Sequence, residues 1–487
     1  MTVQTAAVRA ETKTEAAVPA PELGELLDRQ KRAFAADMNP DRKTRDERLA
    51  RLDRLIQRDG DRLAEMINRD FGTRSPTMTA VVETVMLRAA IRHTRRNLKS
   101  WMKPRRVHTA MMFMPGRCRL LRQPLGVVGI IGAWNYPLQL TLSPLVDAIA
   151  AGNRAMVKPS ELAPIFAAGL KESFDEFFAP DEVAIVTGDA EIGKAFSALP
   201  FDHLVFTGST QIGRMVALAA AKNLTPVTLE LGGKSPTIID SSVDMKVAAD
   251  RLVWGKLLNC GQTCVAPDYA LVPRASVTPL IEALRKAVAK QYPTIAANPD
   301  YTSIVSTRHF ERLQALVEEA KARGAKAIEL NPANETIAAA GRKLAPTLLL
   351  DVTDDMRVMQ EEIFGPLLPI VPYDSLDEAI AYVNARARPL ALYWFGTDSG
   401  NRDKVLNGTI SGGVAINDTM MHVVQDGLPF GGVGPSGQGA YHGEHGFRQF
   451  SKEKPVFIQS RLSSGPLLYP PYNAFTKLLL RVLARWG

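Results

Sequence analysis

The sequence predicts an α/β protein built on a doubly wound parallel sheet, preceded by a helical segment and followed by a second α/β region. Three observations carry this. Between residues 125 and 231, short apolar runs alternate with helix-length segments, the pattern of a parallel sheet covered on both faces. Before that, from residue 21 to 102, apolar residues recur at three and four instead. After residue 235, strand-like and helical segments alternate again to about residue 417. The chain has 487 residues, 46% of them hydrophobic, enough for two or three cores, since single domains usually stop at about 200–250 residues.

Taken in order, residues 1–20 are rich in Ala, Thr and Glu without an apolar run, which predicts a disordered tail rather than a signal or transit peptide. In residues 21–102 the helical stripes are Leu49, Leu52, Leu55 and Ile56, then Leu63, Met66 and Ile67. Lys103-Pro104-Arg105-Arg106 marks a boundary, and residues 103–124 form a short separate piece. Strands are expected at 126–131, 154–158, 183–187, 203–207 and 226–231, with helices at 138–151, 163–178, 190–199 and 210–222 between them. In the region 232–427, strands are expected at 270–272, 347–350, 368–371 and 413–416. Residues 428–462 are Gly-rich at their start, and 463–487 form a tail. There Phe475, Leu478, Leu479, Val482, Leu483 and Trp486 fall at helical spacing, with Lys477, Arg481 and Arg485 on another face. That basic amphipathic helix suits a lid over an apolar entrance, an anionic membrane surface, or a docking site on its own or a partner subunit.

The formal charge is +8 and is spread along the chain, which bears on solubility more than on a partner. No zinc-finger spacing or aromatic-basic motif points to nucleic acid. The three cysteines, Cys118, Cys260 and Cys264, do not make a disulfide framework, so a reducing, cytoplasmic compartment is expected. Cys260 and Cys264 lack the second ligand pair that structural zinc requires, so no metal is expected. No stretch reaches the ~20 apolar residues needed to span a bilayer.

The chemistry centres on Asn259-Cys260-Gly261-Gln262-Thr263-Cys264-Val265-Ala266-Pro267, with Cys264 as candidate nucleophile. Read alone, such a cysteine is equally a small buried hydrophobe. Thr228-Leu229-Glu230-Leu231-Gly232-Gly233 places an acid inside an apolar strand end. Burial raises a carboxyl toward the range of a general base, unless backbone N–H groups satisfy it. In Gly132-Ala133-Trp134-Asn135-Tyr136-Pro137, Asn135 is a neutral amide suited to a developing oxyanion, or simply a turn residue. Phe206-Thr207-Gly208-Ser209-Thr210-Gln211-Ile212-Gly213 joins a strand to a helix N-terminus suited to phosphate, or is an ordinary capped corner. Lys158 and Glu161 end an earlier strand, where a nucleotide ribose would lie. A carboxylate there accepts from both ribose hydroxyls and repels an added phosphate, favouring NAD and leaving NADP open. Glu362 and Phe364, in Glu361-Glu362-Ile363-Phe364-Gly365-Pro366, offer an acid for a second ribose and a ring for a nicotinamide, or else a surface acid and a core ring.

Together, and in their order along the chain from about Leu120 to Ser460 (Trp-Asn-Tyr-Pro, Lys-Pro-Ser-Glu, Phe-Thr-Gly-Ser-Thr, Leu-Glu-Leu-Gly-Gly-Lys, Gly-Gln-Thr-Cys, Glu-Glu-Ile-Phe-Gly-Pro and Pro-Phe-Gly-Gly-Val-Gly), these motifs resemble the aldehyde dehydrogenase superfamily. The local choices Gly-Ala-Trp-Asn-Tyr-Pro, Asn-Cys-Gly-Gln-Thr-Cys-Val-Ala-Pro-Asp-Tyr and Gly-Ala-Tyr-His-Gly resemble its fatty, aromatic and coniferyl aldehyde branch. The resemblance implies a cofactor domain, an α/β catalytic domain and a small β extension for oligomerisation, using chain near Arg117–Gln123 and Pro455–Ser460. It implies Cys264 as nucleophile, Glu230 as general base and Asn135 as oxyanion donor. Lys158, Glu161, Gly208, Ser209, Gly213, Glu362 and Phe364 would hold the dinucleotide, together with Trp134 and Leu231. Tyr136, Trp254 and His422 would line the substrate channel. The implied reaction oxidises an apolar aldehyde to its acid with NAD or NADP, and the implied assembly is a homodimer. Two other outcomes stay open on this fold: acyl transfer to coenzyme A, and a catalytically silent binding protein.

Overall fold

The structure, a computed structural model, describes residues 20–463 and 465–486. Of the tail expected at residues 1–20, residues 1–19 lie outside the described residues, and Ala20 begins the first helix. Helices fill the N-terminal region: Ala20–Ala36, Arg42–Phe71 and Met86–Trp101, with a short helix at Pro76–Thr79 and a π-helical turn at Ala80–Val85. Asp41 caps the long second helix by accepting from the Thr44 N–H, and Gly72, at φ 85°, ends it. Leu49, Leu52, Leu55, Ile56, Leu63 and Ile67 are all buried, while Met66 packs at the edge of the same cluster.

Sixteen strands form three sheets among the described residues. A three-stranded antiparallel sheet joins β1 (Arg105–Val107), β2 (Arg117–Pro124) and β16 (Ser451–Ile458). A six-stranded sheet is built from β3 (Val127–Ile131), β4 (Arg154–Lys158), β5 (Val183–Ile185), β6 (His203–Thr207), β7 (Val227–Glu230) and β15 (Gly437–Gln438). Its first five strands are parallel, and β15 returns from the Gly-rich region to pair antiparallel with β7. Val128 and Ile130 enter one hydrophobic cluster and Val127 and Ile131 another, so both faces of this sheet are covered. That is why its strands read as apolar runs without alternation.

A seven-stranded sheet carries β8 (Pro236–Ile239), β9 (Tyr269–Pro273), β10 (Lys326–Glu329), β11 (Thr347–Leu350), β12 (Leu367–Tyr373), β13 (Ala391–Phe395) and β14 (Gly413–Ile416). They run in the order β10-β11-β12-β9-β8-β13-β14. All pairs are parallel except β10 with β11. β8, β10 and β13 were not expected from the sequence. β8 is four residues opened by a proline, β10 is a mostly exposed edge strand, and β13 is a wholly buried five-residue run. The whole is an α/β architecture. Register places Lys158 opposite Ile131, Phe206 opposite Ile131 and Glu230 opposite Thr207, so the carboxyl ends of β3, β4, β6 and β7 open on one side.

Candidate active site

The segment that carries Cys264 leaves the helix Met245–Leu257 through a run of left-handed residues: Asn259 (φ 52°), Cys260 (φ 55°) and Gly261 (φ 74°). Two of these are not glycine, a costly arrangement that persists only where its surroundings fix it. The fixing groups are visible. Asn259 donates to the backbone oxygens of Asn135 (2.9 Å) and Gln262 (3.1 Å). The Gln262 side chain donates to Asn259 and Ser303 oxygens and accepts from the Val305 N–H at 2.9 Å. Asn135 in turn donates its amide to the Gln262 oxygen at 3.2 Å. The loop after β3 and the cysteine loop are therefore tied by reciprocal hydrogen bonds. Cys260 is fully buried, whereas Cys264 is only partly buried.

Burial, with the Glu362 and Glu230 carboxyls nearby, pushes the Cys264 thiol up to about 12, so it rests protonated. Glu230 ends β7 at 2% exposure, and neither of its carboxyl oxygens has a partner. Burial alone raises its pKa well above the ordinary carboxyl value. Tyr136 closes the neighbouring wall: its hydroxyl is 2.7 Å from the Thr263 Oγ1, one residue before the cysteine. Trp254 is packed at the edge of the main core on the helix that leads to Cys264. His422 lies against Gly413 of β14 and near the Tyr393 ring (6.1 Å between centroids), and its buried Nδ1 has no partner. Burial lowers the His422 imidazole to about 4, so it is neutral.

The residues expected to hold a dinucleotide gather at the carboxyl ends of the six-stranded sheet and the loop facing it. Ser209 caps the helix Thr210–Ala221. Gly213 on that helix lies so close to Leu231 that an added Cβ would fall 2.6 Å from its Cδ2. Lys158, 1% exposed, sits 3.5 Å from the half-exposed Glu161 carboxylate, and burial lowers its pKa. The Glu362 carboxyl lies against Gly232, where a Cβ would meet it at 2.3 Å, and burial pushes it up to about 8. Phe364 holds a left-handed φ of 54° and packs on Trp134, ring centroids 5.4 Å apart. A capped helix start, side-chain-free backbone and a Lys–carboxylate pair at strand ends fit a dinucleotide.

The model of the aldehyde dehydrogenase family matches residues 9–456. The chain belongs to the aldehyde dehydrogenase family. It is 49% identical over 457 residues to a probable coniferyl aldehyde dehydrogenase of Caulobacter vibrioides, covering 93% of this chain and 94% of that one. It is 42% identical over 447 residues to aldehyde dehydrogenase family 3 member A2 of Mus musculus, covering 91% of this chain and 90% of the other. The solved substrate-bound state of Staphylococcus aureus AldH superposes with a TM-score of 0.89 at 39% identity, covering 94% of this chain and 99% of that one. These relatives place the chain in the branch that its cysteine and Tyr-His-Gly motifs resemble. The enzyme is an aldehyde dehydrogenase, and its cofactor is NAD(P).

Several residues of this aldehyde dehydrogenase site escaped sequence reading. Arg74 and Glu83, from the helical N-terminal region, reach the Asn135 loop. Asn259 and Gln262 brace the cysteine loop, and Tyr393 donates its hydroxyl to the Val265 oxygen. Tyr441 is buried in an antiparallel bridge with Phe430. Asn259 and Gln262 flank Cys264 and carry a sequence signal. Arg74, Glu83 and Tyr393 are brought in by contacts across more than 50 residues of chain.

Proposed function

We propose that this aldehyde dehydrogenase oxidises an aromatic aldehyde of the coniferyl type to its carboxylic acid through a thioester on Cys264. One observation carries the hydrolytic route: the buried Glu230 carboxyl has a partner on neither oxygen. A buried acid without a partner is costly, and its raised pKa makes its anion a strong base. Asn135 and the Cys264 N–H stabilise the oxyanion as the Cys264 sulfur attacks the aldehyde carbon and its proton leaves to solvent, which keeps Glu230 free for the later step. Lys158, Glu161, Ser209, Glu362 and Phe364 would hold the dinucleotide. When bound, NAD(P) supplies the hydride acceptor that makes the thioester an oxidation product. Glu230 then takes a proton from the water that attacks the thioester carbonyl. The C–S bond breaks, the carboxylic acid leaves and the cysteine recovers its proton.

Acyl transfer to coenzyme A needs no base for water, so Glu230 favours hydrolysis over that reading. Aromatic side chains border the nucleophile's neighbourhood at Tyr136, Trp254 and Tyr393, which favours a flat, conjugated substrate. The test is the absorbance of reduced nicotinamide with hexanal, decanal, benzaldehyde and coniferaldehyde, each with NAD and then NADP. Coniferaldehyde with NAD should give the highest kcat/KM. A strong preference for decanal would replace the aromatic reading by a fatty-aldehyde one, and an acyl-coenzyme A product on adding coenzyme A would overturn the hydrolytic route.

The assembly proposed is a homodimer. β1 and β16 are both edges of the three-stranded sheet, and unpaired edges template pairing with another chain. Sedimentation at working concentration should give twice the chain mass. The setting proposed is cytoplasmic with peripheral membrane contact. After Glu453 come Lys454, Arg461, Lys477, Arg481 and Arg485 and no acid. The helix Ala474–Trp486 leaves Phe475, Leu478 and Val482 exposed, and no helix among the described residues is long and apolar enough to cross a membrane. Basic charge beside exposed apolar residues suits an anionic lipid surface. Vesicles rich in anionic lipid should co-sediment the full chain more than a form lacking residues 473–487; equal binding would exclude the contact.

A further inference from the structure

One buried ion pair lies beside the site and has no part in the chemistry above. Arg74 Nη2 and Glu83 Oε1 are 2.5 Å apart, and both side chains are wholly excluded from solvent. Burying two charges is unfavourable unless further hydrogen bonds complete them, and apolar residues often serve stability as well. Here Arg74 Nε is left without a partner, and the bonds that are made beyond the pair all run to one place. Arg74 Nη1 donates to the Asn135 backbone oxygen at 2.7 Å. The other Glu83 oxygen accepts from the Leu138 and Gln139 N–H groups at 2.8 and 3.0 Å. Those are free N–H groups of the first turn of the helix Pro137–Ala151, whose own cap position, Tyr136, supplies no side-chain bond. The Arg74 guanidinium also lies over the Tyr136 ring, 5.1 Å from its centroid, and the hydroxyl of that ring bonds Thr263 beside Cys264. Glu83 itself sits in the π-helical turn Ala80–Val85, a rare geometry often found at functional sites.

We infer that Arg74 and Glu83 form a positioning unit for the oxyanion amide of Asn135. The unit grips the residue from both sides, at its own carbonyl and at the helix start just after it. Neither side chain is placed to touch substrate. The inference rests on the reading of Asn135 as oxyanion donor. Its energetic logic is that a misplacement of about 1 Å can cost about a hundredfold in rate.

The experiment is a double-mutant cycle with Glu83→Gln and Asn135→Ala, read as kcat, KM for NAD and thermal midpoint. Removing the oxyanion amide should lower kcat about a hundredfold or more. Glu83→Gln alone should lower kcat about tenfold to a hundredfold with KM for NAD unchanged. In the Asn135→Ala background the same change should have almost no further effect on kcat. A purely structural pair would lower the thermal midpoint and reduce kcat equally in both backgrounds, which would overturn the inference. So would an unchanged kcat for Glu83→Gln beside an impaired Asn135→Ala. A normal kcat for Asn135→Ala would instead remove the oxyanion reading itself. Should Glu83→Gln not fold, Arg74→Lys runs the same cycle, because it keeps the charge but loses the fork that reaches Asn135 and Glu83 together.

Discussion

Two buried glutamates in this molecule have opposite surroundings. Glu83 is saturated: an arginine on one oxygen and two backbone N–H groups on the other. Glu230 has no partner on either oxygen, although it is buried almost as deeply. The difference teaches what each can do. A carboxylate bonded on both oxygens fixes the groups around it, and its partners already occupy the oxygens that would take up a proton. An unsatisfied one leaves its neighbours free and keeps its basicity for whatever enters the site. Holding geometry and moving protons are thus assigned to different acids.

Mutation should separate the two roles, most sharply in rate. Glu230→Gln should lower steady-state turnover by about a hundredfold to ten-thousandfold, as loss of a general base does. Glu83→Gln should fall short of that. If steady-state assays ranked them the other way, the division of labour would be wrong. The cysteines give a matched control: Cys264→Ala should abolish oxidation, while Cys260→Ala, at a fully buried thiol pushed up to about 12, should retain most of it.

Stability should rank them in reverse. Arg74→Met leaves Glu83 buried without its partner, and should destabilise by about 3–5 kcal/mol in denaturant melts. Glu230→Gln should instead stabilise at neutral pH, because the folded state holds that acid's pKa well above its unfolded value of about 4.5. The sign follows: the native form binds its proton more tightly, so wild-type stability falls as pH rises from the ordinary carboxyl range toward the raised one. The advantage of Glu230→Gln should shrink as pH drops to about 4 and below. A gap that stayed constant with pH would mean that Glu230 is not held as a neutral acid.

The smallest expected effect concerns the cofactor end. Lys158 is buried with its pKa lowered, and Glu161 is its ion-pair partner. Glu161→Gln should raise KM for NAD by a few-fold and improve use of NADP, with kcat nearly unchanged. A changed kcat with unchanged KM values would place the residue outside the nucleotide site.

The parts of the candidate site that the sequence proposes are those written in consecutive residues. Gly208 and Ser209, Lys158 and Glu161, and the cysteine loop with Glu230 each combine residue type, spacing and a strand end, and that combination has few other uses. The parallel sheet was readable for the same reason, since its strands and helices alternate along the chain. What stayed hidden depends on distant contacts. Arg74 and Glu83 lie in a region whose only sequence signal is an amphipathic stripe, and their partners are 61 and 55 residues away. β8 was missed because it is only four residues long and opened by a proline, and β10 because it is a mostly exposed edge strand with no apolar run. His422 offers no motif that distinguishes a packed imidazole from a channel residue, and in the structure it packs on Gly413 and Tyr393.

The most direct test of the central claim, that Glu230 serves water and not the first attack, is rapid mixing of Glu230→Gln with coniferaldehyde and NAD. The predicted record is a burst of about one reduced nicotinamide per active site followed by very slow turnover, because the thioester forms and then waits for a base. Steady-state turnover equal to that of the unaltered enzyme would contradict it, and so would loss of the burst together with turnover.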